Sequence, residues 1–538
     1  MLRKISLAAL TLAVVASVAH AQHDHSGGDP NQLGTVKFAT SCSGVQNEFE
    51  RGMALLHSFW YAESEKAFAA VAKRDPACAI AYWGIAMSIT HPLWEAAGKD
   101  SLRRGWETVQ KAQSAATADE RERAYVTAIA TFYRDYETAN HLTRTQAYEQ
   151  AMQKLAERYP QDDEAKMFYA LSILGTATAS PPDKTYARQK QAGAILDKML
   201  PKYPEHPGMA HYIIHSYDFP PLADRGVEAA RRYAKIAPDS PHALHMPSHI
   251  FTRLGMWDDS IASNIDSAAA AQKHKSIGDE LHAMDYLVYA HLQQGQDTRA
   301  KKILDSMPAV KLGDPAAFAG FYATAAMPAR YVIERRRWKD AAKLEVPAGV
   351  FPGGRYAWTE ATFHFARALG AAHTGQFEIA KQSIEKLREQ HETLLQDSDA
   401  GWPEQVEIQR MTAAAWLAFK QGKADDALQL MRTAADRDDA MDKHPVTPGA
   451  ITPARELLAE MLLELQRPAE AVKEFEAVLQ GSPGRFNALY GAGRAAQLAG
   501  NAQKARSYFT KLVENCRKAD TERAELREAR AALATAAR

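Results

Sequence analysis

Apolar residues recur at every third or fourth position along almost the whole chain, and alternating runs of β-branched residues are scarce. Such spacing places apolar side chains on one face of an α-helix. The periodic segments come in pairs: between Ala366 and Leu387, two of them flank a short turn that contains Gly375. The pattern therefore predicts an all-α fold of antiparallel helix pairs.

The pairs share one register of small and large residues. Gly370, Gly375, Ala380, Ile384 and Leu387 have counterparts at the same spacing in segments 459–483, 493–512 and 52–76. This arrangement resembles the tetratricopeptide repeat, a unit of thirty-four residues in which small residues mark the contact between two helices. The resemblance covers most of residues 47–520. It implies a right-handed superhelical solenoid whose first helices line a concave groove that binds peptides or other ligands.

The N-terminus predicts export. Arg3 and Lys4 precede an apolar segment, and small residues end it near Ala21, as in a cleaved signal peptide spanning residues 1–21. We expect a soluble mature protein outside the cytoplasm, in a bacterial periplasm, with residues 22–46 as a mobile leader. No later apolar run is long enough to span a membrane.

Proline and glycine clusters predict loops between helix pairs. They occupy residues 179–184, 346–358 and 441–453. We divide the repeats into an N-terminal solenoid at residues 47–345, a linker at 346–357 and C-terminal repeats at 358–538.

The composition of the chain limits the classes of partner that it would bind. The 538 residues include 65 basic and 65 acidic side chains, so nothing indicates nucleic acid as a partner. Three cysteines are too few for a disulfide framework. An oxidising compartment permits a bridge between Cys42 and Cys78, which would leave Cys516 over, although sequence does not fix the pairing.

Histidines fall on the predicted groove positions of three successive first helices. His211 and His215 are each thirty-four residues before His245 and His249, so the two pairs are equivalent in the repeat. The same register gives groove positions to further residues, namely Asp218, His242, His282, Asp285 and Tyr289.

This clustering points to a metal site. Two histidines at positions i and i+4 share a helix face, and a neighbouring helix can supply further ligands. Imidazoles suit zinc, copper, nickel or iron(II), and Asp218 or Asp285 would serve as a ligand, as an acceptor that orients an imidazole, or as a catalytic base. A groove that grips a peptide carboxylate without any metal, and a set of structural histidines, remain alternatives.

Four further side chains take groove positions. His57 and His91 lie at the ends of first helices, where the helix dipole favours a cation. His364 and Arg367 lie on a later repeat, where Arg367 would suit a carboxylate.

Pro247 stands between His245 and His249 and leaves two local structures open. Either it kinks one helix that begins near Pro241, or the helix begins at Pro247 and only His249 is safely placed in the groove.

Three functions follow from these patterns. The first is a non-catalytic, exported repeat protein that binds a peptide, a protein or a metal ion in its groove. The second is a metal-dependent hydrolase on the same solenoid, and the third is a protein scaffold of an envelope complex.

Overall fold

The computed structural model describes residues 32–93, 96–115, 119–309, 317–397 and 401–535. All regular structure in these ranges is helical, which confirms the all-α prediction. The predicted signal peptide and residues 22–31 lie outside the described residues. In chain order the helices are α1 (Gln46–His57), α2 (Tyr61–Arg74), α3 (Ala79–Thr90), α4 (Lys99–Ser114), α5 (Glu120–Tyr133), α6 (His141–Arg158), α7 (Asp163–Ala179), α8 (Ala187–Met199), α9 (Pro207–Tyr217), a 3₁₀ turn (Ala223–Gly226), α10 (Val227–Ile236), α11 (Pro241–His245), α12 (Pro247–Arg253), α13 (Trp257–His274), α14 (Ile277–Gln293), α15 (Asp297–Asp305), α16 (Ala317–Glu334), α17 (Trp338–Ala341), a 3₁₀ turn (Gly354–Tyr356), α18 (Trp358–His373), α19 (Phe377–Asp397), α20 (Trp402–Lys420), α21 (Ala424–Ala440), α22 (Ala454–Glu464), α23 (Pro468–Gly481), α24 (Phe486–Leu498), α25 (Ala502–Asn515) and α26 (Ala524–Thr535).

The helices stack as a solenoid of pairs. Each helix packs mainly against the one that follows it, and first helices of neighbouring pairs, such as α18 and α20, also touch. Within pairs the turn glycines adopt the left-handed conformation: φ is +69° at Gly255, +75° at Gly375 and +78° at Gly500. Glycine adopts this conformation at no steric cost, so the turn position assigned from the sequence is confirmed.

The small residues of the register are required by close helix contacts. A β-carbon at Gly493 would lie 2.5 Å from the ring of Phe509, and one at Gly52 would lie 2.9 Å from the ring of Phe68. These separations are shorter than any carbon–carbon contact allows, so the aromatic ring occupies the space that a side chain would need.

Part of the predicted mobile leader belongs to the fold. Leu33, Val36 and Phe38 are buried, and the Phe38 ring lies 5.3 Å from the rings of Phe49 and Tyr125. The expectation of mobility is therefore wrong for residues 32–45, because their apolar side chains complete the N-terminal core. The Cys42–Cys78 disulfide joins the same segment to the start of α3, and Cys516 is the free, buried cysteine.

The predicted linker at residues 346–357 is a loop, but it does not separate two cores. Phe351 and Ala357 within it are buried in one apolar cluster that runs from Leu281 to Ala529. A second cluster runs from Leu33 to Phe251. The change of core thus falls near α13, not at the predicted linker.

The solenoid also curls far enough for distant repeats to meet. Trp257 Nε1 donates to the carbonyl of Gly484 at 3.2 Å, and Gln293 Oε1 accepts from the Phe486 amide at 2.9 Å. Arg523 Nε donates to Asp297 at 3.0 Å. These contacts, between residues about two hundred positions apart, close the concave side over α14.

No helix in the described ranges has both the length and the apolarity needed to cross a bilayer.

Candidate metal centres

Six histidines from three first-helix segments meet inside the superhelix. They come from α9, from the consecutive helices α11 and α12, and from α14, and none is more than 7 % exposed. The sequence placed them on an open groove, but the structure buries them. Phe59 covers them from one side, with its ring 4.2 Å from that of His211, and the segment 441–453 covers them from the other.

Pro247 divides the middle helix without displacing its histidines. Met246, between α11 and α12, keeps right-handed helical angles of −53° and −35°, and its amide donates to the carbonyl of His242 at 3.0 Å. The first of the two local alternatives is therefore correct: the helix starts at Pro241, with Ser240 as its cap, and bends at Pro247. His245 and His249 both point inward as a result.

The first centre, centre A, consists of His211, His215 and His242. The Nε2 atom of His211 lies 3.1 Å from Nε2 of His215 and 3.1 Å from Nε2 of His242. His211 Nδ1 lies 2.6 Å from the backbone carbonyl of His57, which can only accept, so Nδ1 carries the proton. His211 Nε2 is therefore a lone pair directed at two other imidazoles.

The second centre, centre B, consists of His245, His249 and His282. Its ligand nitrogens all lie within 4.8 Å of one another, as do those of centre A. His245 Nδ1 is 2.7 Å from Asn264 Oδ1, and the Asn264 amide nitrogen donates to the Ser260 carbonyl, which fixes Oδ1 as the acceptor. His245 therefore donates through Nδ1 and keeps a lone pair on Nε2.

His249 has the same proton arrangement. Its Nδ1 lies 2.8 Å from a carboxylate oxygen of Asp218, so Nδ1 donates and Nε2 carries no proton. The Tyr286 hydroxyl lies 3.3 Å from this Nε2 and 3.2 Å from the Thr447 carbonyl, so its proton can go to either acceptor. The Nε2 atoms of His245 and His249 are only 2.9 Å apart. Burial lowers the pKa of both rings, so both are neutral at pH 7. Two lone pairs thus face each other across a distance at which they repel unless a cation lies between them.

The two centres are adjacent. The ring centroids of His215 and His249 are 6.1 Å apart, and those of His242 and His245 are 6.2 Å apart. The sequence assigned groove positions to His242 and His282 without linking either to one histidine pair. The structure instead groups His242 with the α9 pair and His282 with the bent helix.

Asp218 acts as the orienting acceptor and is unsuited to the role of catalytic base. Besides His249 it accepts from Arg253 Nε at 2.9 Å and from Lys443 Nζ at 2.8 Å. These cations hold the pKa of Asp218 well below its usual range. A carboxylate bound to three donors has little remaining basicity.

Asp285, the other predicted ligand or base, lies outside both centres. It is fully buried and paired with the fully buried Arg330 at 3.3 Å. Burial raises the pKa of Asp285 although Arg330 opposes that shift. Among the described residues, the groups whose ligand atoms converge do not include Asp285.

A third group, His57, Glu164 and His206, also brings its ligand atoms within 4.8 Å of one another and is held together by hydrogen bonds to one carboxylate. Each imidazole lies 2.9 Å from a different oxygen of Glu164, and both donate through Nε2. His57 Nδ1 accepts from Tyr212 at 2.9 Å. The carboxylate thus holds His57, whose carbonyl fixes the proton of His211. Sequence reasoning missed Glu164 and His206, because their spacing to His57 of 107 and 149 residues follows no repeat.

The remaining predicted groove residues lie outside the two centres. His91 ends α3 and stacks on Tyr61 at 4.2 Å, where burial lowers its pKa to about 4. Tyr289 packs on Trp257 at 5.7 Å, below the guanidinium of Arg330. His364 and Arg367 lie half-buried on α18, and burial lowers the pKa of His364 to about 4.

A cavity of about 330 Å³ opens beside the histidines. Its walls come from α18, α20 and the segment 441–453. A smaller cavity of about 40 Å³ touches His215 and Asp218 and shares Phe219 and Lys443 with the larger one. The smaller cavity, not the larger one, touches centre A at His215, and Phe219 and Lys443 form part of the wall of both.

Comparison with known proteins supports the repeat architecture. The tetratricopeptide repeat family model matches residues 412–486 and 456–520, which confirms the resemblance for the C-terminal units. No curated protein sequence matches the chain.

Three solved structures align with much of the chain at low sequence identity and low TM-score. A chain of the APC/C hetero-tetramer Cut9–Hcn1 has 12 % identity and a TM-score of 0.35, covering 86 % of this chain and 79 % of its own. A monomeric IFIT1 mutant bound to Gppp-AAAA has 13 % identity and a TM-score of 0.39, covering 81 % and 90 %. The Naa15/Naa10 complex bound to HypK has a chain with 12 % identity and a TM-score of 0.25, covering 91 % and 73 %.

Proposed function

We propose that this chain, which matches the tetratricopeptide repeat family over residues 412–520, binds divalent transition metal ions inside its superhelix. The ligands are the six histidines of centres A and B. Each centre supplies three imidazoles, and an open coordination position would remain for water or a small molecule.

One observation carries this proposal. His245 and His249 each give the Nδ1 proton to an acceptor, and their bare Nε2 atoms are 2.9 Å apart in a buried site. A tetrahedral metal bound about 2.0–2.1 Å from each nitrogen would hold the two nitrogens about 3.3–3.4 Å apart, so a small movement apart of the two rings would admit the ion. The hydrogen bonds from the two Nδ1–H groups to Asn264 and Asp218 are typical of metal sites, where an acceptor behind each ligating imidazole fixes the orientation of the ring.

The donor set limits the metal. Neutral imidazoles without thiolates favour zinc, copper, nickel or iron(II), and disfavour calcium and magnesium, which prefer oxygen. Two adjacent three-histidine centres would hold up to two ions per chain.

We also propose that the protein is exported, as its N-terminal sequence predicts. The Cys42–Cys78 disulfide supports an oxidising compartment. Sequencing the N-terminus of protein from the periplasmic fraction tests this proposal. A first residue near Gln22 is the expected result, and an uncleaved chain in the cytoplasmic fraction would oppose export.

Metal analysis of protein purified without an affinity tag tests the metal proposal. We expect up to two equivalents of one transition metal, one fewer in His282→Ala and one fewer in His242→Ala. His291→Ala is the matched control, because His291 is buried on the same helix as His282 and bonds only Gln296. A wild-type chain that binds no added metal, measured by calorimetry, would refute the proposal.

The peptide-binding and scaffold hypotheses concern other surfaces. Stacked repeats commonly present extended binding surfaces for proteins. In this chain the concave side around α14 is filled by its own residues, so a protein partner would contact the outer helices instead.

A further inference from the structure

The cavity beside centre A has aromatic walls. Trp358 and Trp402 are stacked with ring centroids 4.5 Å apart, and Tyr322 lies 5.7 Å from Trp358. Phe219 and Pro445 complete the apolar lining. A volume of about 330 Å³ lies within the range of small-molecule sites. Walls of this kind favour a flat ring that can stack on an indole.

The end of the cavity nearest the histidines is cationic. Lys443 and Arg253 line the cavity and share a single carboxylate, that of Asp218, so their surroundings keep one net positive charge. Two further acids line the cavity. Asp442 is paired with Lys184 at 2.7 Å, and Asp438, whose pKa burial raises to about 6, accepts from the Ala454 amide at 2.9 Å. A negatively charged oxygen is therefore the ligand group that this end attracts.

Gln409 requires a hydrogen-bond donor in the ligand. Its side chain lines the cavity from α20, the residue is only 8 % exposed, and its amide oxygen has no hydrogen-bond partner among the residues that the structure describes. A buried acceptor without a donor costs about 1–3 kcal/mol, so the site is complete only when a ligand donates to it.

We propose that this cavity binds a small aromatic carboxylic acid that also carries a hydroxyl donor, of the hydroxybenzoate class. The ring stacks against Trp358 and Trp402, the carboxylate faces Lys443, and the hydroxyl donates to Gln409. The inference rests on the proposed function in one respect: the ligand reaches a metal only if centre A is loaded.

Calorimetry with five probes, the three hydroxybenzoate isomers, benzoate and 4-hydroxybenzyl alcohol, tests the ligand class on wild-type protein. We expect one or more of the three hydroxybenzoate isomers to bind at least tenfold more tightly than benzoate, and the neutral 4-hydroxybenzyl alcohol to bind at least tenfold more weakly than 4-hydroxybenzoate. Gln409→Leu should abolish the advantage of the hydroxyl and leave benzoate unchanged.

Thr412→Val is the matched control, because Thr412 is a buried polar residue one turn further along α20 and does not line the cavity. This variant should bind every probe like the wild type. A Gln409→Leu protein that still prefers hydroxybenzoate, or a wild type that binds no aromatic acid, would overturn the inference.

Titrations of metal-loaded and metal-free protein separate the two proposals. Tighter binding to the loaded form supports both. Binding that is equal with and without metal supports the cavity ligand but removes its contact with centre A. Stoichiometric metal without any ligand binding supports the metal centres and overturns the cavity inference.

Discussion

Asn264→Leu tests whether the partner behind an imidazole controls centre B. The side chain of Asn264 is fully buried on α13 and accepts from His245 Nδ1 at 2.7 Å. Leucine has a similar size but no acceptor. The buried Nδ1–H would lose its only assigned partner, so the proton moves to Nε2 or the ring rotates, and either change removes a ligand lone pair.

The expected size of the effect of Asn264→Leu follows from two kinds of energy, the cost of an unpaired buried donor and the loss of metal affinity. Leaving a buried donor unpaired costs about 1–3 kcal/mol. Loss of an orienting partner behind a ligating histidine lowers metal affinity about 10- to 100-fold, which is about 1.4–2.7 kcal/mol. The two ranges agree, because both describe the same lost hydrogen bond.

Competition titration with a chromophoric chelator measures the affinity, and urea unfolding of metal-free protein measures stability. Ser267→Ala is the control, since Ser267 lies on the same helix, is equally buried and donates only to the Pro241 carbonyl at 2.8 Å. We expect Ser267→Ala to lower stability without changing the affinity of centre B. If Asn264→Leu binds metal as tightly as Ser267→Ala does, the assignment of protons to His245 is wrong.

Three further predictions concern the fold. Cys42→Ala/Cys78→Ala should lower the free energy of unfolding by about 4 kcal/mol, because the bridge closes a loop of 36 residues; an unchanged urea midpoint would show that the bridge adds nothing. Gly105→Ala should lower the free energy of unfolding by about 1–3 kcal/mol or more, because its β-carbon would lie 2.1 Å from the Tyr133 ring. Gly481→Ala is the control and should be neutral or slightly stabilising, because, apart from the adjacent residues and its own helix backbone, no atom of the described residues lies within 4 Å of the added β-carbon. Equal melting temperatures of the two variants would contradict the packing. His373 stacks on Trp338 at 4.0 Å, and burial lowers its pKa to about 3 from the usual 6.5, so the unfolded chain takes up the proton first and stability falls with pH below about 6.5. Between about pH 7.5 and 5.5 the protonation of His373 in the unfolded chain lowers the free energy of unfolding by about 1.4 kcal/mol. Urea unfolding of His373→Phe should lack this decrease. An identical pH dependence in the variant and the wild type would refute the prediction.

The local features of the site could be predicted from the sequence. An α-helix places residues i and i+4 on one face, so His211 with His215 and His245 with His249 had to form pairs. The thirty-four-residue spacing placed those pairs at equivalent positions of successive repeats. The turn glycines were predictable for the same reason, since Gly255 and Gly375 occupy positions that need a positive φ.

The grouping of the six ligands was not predictable in the same way. His242 and His282 were expected at the flanks, and each instead completes a different centre. Their distances to the other ligands depend on the bend at Pro247 and on the angle between α9, α11 and α14. Small rotations between repeats accumulate along a solenoid, and no short sequence pattern encodes their sum.

By itself, the sequence determined the helix pairs, their register and the inward-facing histidines, because each depends on side chains within one or two helical turns. The tertiary structure alone decided that these histidines are buried, which carbonyl or carboxylate orients each ring, and where the cavity lies. His211 bonds the carbonyl of His57, 154 residues away, and Asp218 bonds Lys443, 225 residues away. Such contacts form only when the whole superhelix has curled, since its curvature is a property of all the helix interfaces together.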